Sequence, residues 1–137
     1  MKQFISALLT IVALVYGAYA LYNNYNVVRY DQKFDDADEL YDKGDYEGAI
    51  KIYTEAIEHN KNTKKIDFAV YNNRGNAYAA MGNYTAAIDD YNQALQYFKE
   101  GDAGKGRSKS SIYNNLGICY QELGNYTKAE EYFAKAK

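Results

Sequence analysis

The chain contains no proline, so nothing in it forbids long helices. Tryptophan is missing as well. A single cysteine, Cys119, excludes an internal disulfide framework and any cysteine-rich metal site. A single histidine, His59, leaves no histidine cluster for metal binding or acid–base work. Neither sign of charge dominates: 16 Lys and Arg stand against 18 Asp and Glu. That balance argues against nucleic acid as a partner, which calls for a clustered basic face. No Ser-His-Asp set, catalytic carboxylate pair or metal-ligand spacing is visible, so neither catalysis nor a cofactor is expected.

What the chain has in abundance is tyrosine, 17 in 137 residues. Tyrosine packs like an aromatic hydrophobe and keeps a hydroxyl for a wet edge. Such a supply suits side chains half buried between stacked layers, or an assembly interface.

The first 29 residues stand apart. Phe4 to Val28 carry no formal charge, and residues 4–22 are mostly apolar. A helix of that length matches the roughly 30 Å hydrocarbon core of a bilayer. One reading is a retained membrane anchor or apolar assembly core, at a membrane or cell surface. The other is a secretory signal, with Lys2 in front and Ala18-Tyr19-Ala20 fitting a small-residue cleavage pattern. Retention is the expectation carried forward. Ser6, Thr10, Ala13, Gly17 and Ala20 recur at steps of four and three, placing small residues along one helical face. Such a seam lets helix backbones approach closely, so self-association through it is expected beside a plain anchor role. No Gly lies between Gly17 and Gly44, so the helix is free to continue into the following region, although Asn23, Asn24 and Asn26 are weak helix formers.

Residues 30–137 repeat internally. Tyr71-Asn72-Asn73-Arg74-Gly75-Asn76-Ala77-Tyr78, followed by Gly82-Asn83-Tyr84-Thr85, returns as Tyr113-Asn114-Asn115-Leu116-Gly117-Ile118-Cys119-Tyr120 and Gly124-Asn125-Tyr126-Thr127. A weaker copy runs from Leu40 through Gly44-Asp45-Tyr46 to Ala49. Small residues at Gly75, Ala87 and Ala94 mark where helices must approach closely. Gly44, Gly82 and Gly124 permit the positive φ that a tight helix exit favours.

This pattern resembles the tetratricopeptide repeat. The matching positions are Ala37, Gly44, Tyr46, Ala49, Tyr53 and Ala56 in the first copy. Tyr71, Gly75, Tyr78, Gly82, Tyr84, Ala87, Tyr91 and Ala94 carry the second, and Tyr113, Leu116, Gly117, Tyr120, Gly124, Tyr126, Ala129, Phe133 and Ala136 the third. The resemblance implies an all-α solenoid of about three helical hairpins, over about 30–63, 68–101 and 110–137, behind the long apolar N-terminal helix. The spacing departs from the family's usual length: 38 positions from Gly44 to Gly82 and 42 from Gly82 to Gly124. A longer second helix and a linker over 101–106 would absorb the excess. The third hairpin has no polar cap after it, so either a partner such as another copy covers that end or further chain follows.

In this family the first helix of each hairpin lines a groove. By resemblance Asn72, Asn73, Asn76, Asn114 and Asn115, with Asp35 and Asp38 in the first copy, are the candidate groove residues. An amide donates and accepts at once, so it can pair with peptide backbone of any sequence. The family's clamp for a C-terminal carboxylate needs basic groove residues, and the first copy offers aspartates instead.

Other motifs weigh less. Gly101-x4-Gly106-Arg107-Ser108 is one substitution from a phosphate loop but follows a helix, so a linker is expected there. Asn83-Tyr84-Thr85 and Asn125-Tyr126-Thr127 are glycosylation sequons that coincide with the repeat turns. Cys119 is expected as a packed structural thiol. Together the expectation is a non-enzymatic interaction and self-assembly module, anchored by its apolar helix and binding protein or peptide. The alternative is a subunit of a filament with apolar helices inside and repeats outside; a secreted form with its signal removed is a further possibility.

Overall fold

The computed structural model describes residues 2–63, 68–98 and 109–137. Within them the side chains of 2–3, 5–7, 23, 25–32 and 60–63 are outside the description, as are the linker motif at 101–106 and Ser6 of the small-residue seam. Six α-helices make up the described residues: α1 Lys2–Asp42, α2 Tyr46–Thr63, α3 Phe68–Ala80, α4 Tyr84–Tyr97, α5 Lys109–Glu122 and α6 Tyr126–Lys135. The three weak helix formers near Asn24 do not interrupt α1. Of the two later-helix lengths, α2 has 18 residues and α4 has 14, so the extended second helix belongs to the first hairpin.

Residues 1–33 and 34–137 form two compact units. In the first, the described apolar side chains stay exposed, among them Leu8, Leu9, Leu14, Val15 and Leu21. Among the described residues no helix is long and apolar enough to cross a membrane.

The second unit is an all-α solenoid of helical hairpins. Each hairpin closes in the same way. Gly44, Gly82 and Gly124 adopt φ of 81°, 75° and 74°, a region closed to residues with a Cβ at low cost. The next residue sends its N–H back to the carbonyl five positions earlier: Asp45 to Leu40 at 2.9 Å, Asn83 to Tyr78 at 2.9 Å, Asn125 to Tyr120 at 2.8 Å. The glycine N–H donates to the inner carbonyl, as that of Gly82 does to Ala79 at 2.9 Å. This satisfies carbonyls that a helix end would leave bare. The same three residues then open the next helix: Asp45 Oδ1 accepts from Gly48 N–H at 2.9 Å, Asn83 Oδ1 from Ala86 at 3.3 Å and Asn125 Oδ1 from Lys128 at 3.2 Å.

Nine positions after each turn glycine stands a large ring, Tyr53, Tyr91 or Phe133; seven before it stands a small residue, Ala37, Gly75 or Gly117. A Cβ on Gly75 would lie 2.9 Å from the Tyr91 ring, and one on Gly117 would lie 2.5 Å from Phe133. Close approach of two helices over a flat ring is therefore what those glycines provide. Ala49, Ala56, Ala87, Ala94 and Ala129 are buried beside them, with Ile112, Leu116 and Cys119 completing the core. Cys119 is a free, buried thiol, and burial pushes its pKa from 9.0 up to about 11.

Candidate partner-binding groove

The rings of the core carry hydroxyls, and these organise the inner face. Tyr53 on α2 donates to Asp38 Oδ1 on α1, and the same oxygen accepts from Asn73 Nδ2 on α3 at 2.8 Å. One hairpin later, Tyr91 on α4 donates to Asn76 Oδ1 at 2.8 Å, and that oxygen accepts from Asn115 Nδ2 on α5 at 3.1 Å. Each acceptor thus joins the two helices of its own hairpin to the first helix of the next. Asp38 and Asn76 hold the same place, six before the turn glycine; in the third hairpin that place is Ile118, and the ring opposite is Phe133, without a hydroxyl. Acceptor and donor are lost together. Burial also pushes the Tyr91 hydroxyl pKa up, so it remains a donor at any ordinary pH.

The ladder floors a cleft of about 350 Å³ lined by Asp38, Tyr41, Asp42, Tyr53, Asn72, Asn73, Asn76, Ser111 and Asn115. Five of the seven groove residues expected from the sequence meet here: Asp38, Asn72, Asn73, Asn76 and Asn115. Asn114 is exposed and off the cleft, and Asp35 is exposed and likewise not among its lining. One N–H of each Nδ2 is committed, Asn73 to Asp38 and Asn115 to Asn76, so each residue keeps one N–H beside its carbonyl oxygen. Tyr41, Asp42, Tyr53 and Ser111 line the cleft without having been expected there from the sequence. Helical periodicity could have found three of them: Tyr41 and Asp42 lie three and four after Asp38, and Ser111 lies four before Asn115. Asn72 is only 6% exposed; its Nδ2 reaches Asn73 Oδ1 at 3.4 Å, while its Oδ1 is buried without a partner.

A second cleft, of about 450 Å³, is lined by Tyr71, Arg74, Asp89, Asp90, Asn92, Gln93 and Tyr97. Its centre is a bidentate ion pair, Arg74 Nε to Asp90 Oδ2 and Nη2 to Oδ1, both 2.7 Å. Arg74 Nη1 also donates to Thr54 at 3.0 Å, and the guanidinium lies 5.8 Å and 5.9 Å from the rings of Tyr71 and Tyr78. Burial pushes the Asp90 carboxyl up, against the downward pull of Arg74. In the third hairpin the residue matching Asp90 is Tyr132, which stacks on Tyr120 at 5.3 Å and meets Tyr113 at 6.2 Å. The place that an ion pair fills in one hairpin, an aromatic ring fills in the next.

The two sequon asparagines, Asn83 and Asn125, are exposed at their turns with Oδ1 engaged as helix caps. In the apolar unit Thr10, Ala13, Gly17 and Ala20 are exposed.

Comparison with known proteins follows this geometry. The tetratricopeptide repeat profile matches residues 67–137, and the TPR repeat profile matches residues 37–82. A tetratricopeptide repeat and J domain-containing co-chaperone of Cryptococcus neoformans is 38% identical over 60 residues. That match covers 44% of this chain and only 11% of the co-chaperone. The TPR domain of Arabidopsis FLU superposes with a TM-score of 0.67 at 18% identity, over 78% of this chain and 90% of that one. The TPR2AB domain of yeast Sti1, in complex with pHSP90, gives 0.64 at 26% identity over 78% and 39%. The second TPR of Spaghetti (RPAP3), bound to the HSP90 peptide SRMEEVD, gives 0.64 at 24% over 78% and 88%. Profile, fold and hairpin geometry agree, and the chain belongs to the tetratricopeptide repeat family.

Proposed function

We propose that this chain is a protein-interaction module that takes an extended polypeptide segment into the cleft between Asp38, Asn73 and Asn115. The carrying observation is that cleft itself: about 350 Å³, floored by side chains that the ladder holds in fixed positions. A preorganised floor spares a ligand the cost of ordering it. The acidic HSP90 peptide of one similar structure is a poor match, because the described lining holds two carboxylates and no Lys, Arg or His.

Titration of the ¹⁵N-labelled full chain with pools of acetylated, amidated octapeptides tests this. The side-chain amides of Asn72, Asn73 and Asn115 are expected to shift, with Asn92 and Gln93 of the second cleft still. Shifts confined to the second cleft, or none with any pool, reject the proposal.

The exposed apolar side chains of α1 support a second element, self-association of that helix, with a filament as its extended form and anchoring at a membrane or cell surface as its competitor. Electron microscopy of detergent-free protein and flotation with liposomes separate these outcomes. Ordered polymers that dissolve in the Ala13→Leu/Gly17→Leu variant support the seam, and vesicle-bound monomers support the anchor. Dispersed monomers that float with no vesicle refute both.

A further inference from the structure

We infer that the cleft selects a cationic side chain, arginine or lysine, at the centre of the bound segment; the inference rests on the peptide-binding reading of that cleft. Asp38 and Asp42 stand one helical turn apart on α1 and both line it. Like charges at that spacing oppose each other, and among the described residues no cation lies against them there. Both ladder bonds to Asp38 go to Oδ1, so Oδ2 takes no part in the ladder. Asn72 is the independent sign. Its Oδ1 is a buried acceptor with no donor, a costly state that a donor-rich group would relieve.

The rest of the lining suits the same guest. Tyr41, half-buried at the edge of the lining, brings a ring of the kind that attracts cations. One N–H of Asn73 and one of Asn115 are already used in the ladder, while the Asp42 carboxylate, Asp38 Oδ2 and Asn72 Oδ1 add acceptors to the lining. A guanidinium carries five N–H donors and no acceptor, the complement of that arrangement. A carboxylate guest would meet two like charges and no Lys, Arg or His in the described lining.

The second hairpin supplies substitutions that remove charge and keep the fold. Asn76 stands in the place of Asp38 and accepts the same two bonds; Ala80 stands in the place of Asp42. The test uses the full chain with four octapeptide pools, random except for a central Arg, Lys, Gln or Glu, and reads dissociation constants from the cleft amides. The Arg and Lys pools are expected to bind about tenfold more tightly than the Gln pool, with the Glu pool weakest. In Asp38→Asn/Asp42→Ala that preference should fall to within about twofold while the melting temperature holds. Equal binding of Gln, Arg and Lys pools overturns the charge inference and leaves the groove proposal standing. A preference that survives in the double variant overturns the assignment to Asp38 and Asp42. Silence of the cleft amides with every pool overturns inference and groove proposal together.

Discussion

Asn115 on α5 donates its side-chain amide to Asn76 on α3 at 3.1 Å, and through that oxygen it is coupled to the hydroxyl of Tyr91. The contact crosses from one hairpin to the next, so register between hairpins depends on it as well as on apolar packing.

Replacing the shared acceptor should therefore cost more than a single bond. Asn76→Ala strands the Tyr91 hydroxyl and the Asn115 amide at once, and a loss of about 2 kcal/mol is expected from urea denaturation followed by far-UV circular dichroism. Asn76→Asp, which copies Asp38 from the first hairpin, should retain most of that stability. Equal losses in the two variants would mean that an acceptor oxygen of the right size is not what holds the Tyr91 hydroxyl and the Asn115 amide at this place.

The Arg74–Asp90 pair gives a contrast between breaking and replacing. Asp90→Ala leaves a guanidinium half buried without its carboxylate, and a loss of about 3–5 kcal/mol is expected. Arg74→Leu/Asp90→Tyr borrows Leu116 and Tyr132 from the third hairpin and should recover most of it, because a ring between Tyr71 and Tyr78 repeats the arrangement of Tyr132 between Tyr113 and Tyr120. If the double variant is as unstable as the single one, the two hairpins do not share an interchangeable site.

Cys119 makes stability depend on alkaline pH. Its thiol titrates at about 11 in the folded chain against 9.0 ordinarily. As pH rises through that interval the unfolded chain gives up its proton first, so the stability that burial of the neutral thiol provides is full below 9.0 and drains away toward about 11. The Cys119→Ala variant, matching Ala77 in the second hairpin, lacks this dependence. Its deficit against the parent chain should shrink between those two pH values in paired urea titrations; a constant deficit would show that the thiol is not held neutral by burial.

Much of this architecture can be read from residue spacing. Turn glycines, small residues seven before them and rings nine after them encode the hairpins directly, because backbone φ and ring clearance are local demands. That Asn72, Asn73, Asn76, Asn115 and Asp38 share one cleft was legible in outline. What spacing did not reveal was direction: whether an asparagine turns its amide nitrogen to a guest or to its neighbour. That depends on an acceptor in another hairpin, 35 positions away for Asn73 and Asp38 and 39 for Asn115 and Asn76. Asn114 differs from Asn72 for the same kind of reason. The two hold matching positions, yet one is buried and the other exposed, an outcome set by tertiary packing rather than by the motif they share. The Arg74–Asp90 pair was hidden because Arg74 occupies a place that the third hairpin gives to leucine, where a charge is not anticipated.

Asp45, Asn83 and Asn125 each finish one helix and start another, so a residue gained or lost at those corners would unfasten both. Between the ring nine after one turn glycine and the small residue seven before the next, the sequence is free to vary, and there the glycine spacing grows from 38 to 42 positions. The array is a set of like cassettes, each pinned at its corner, and a tag or reporter domain inserted beside Gly82 would break two helices at once.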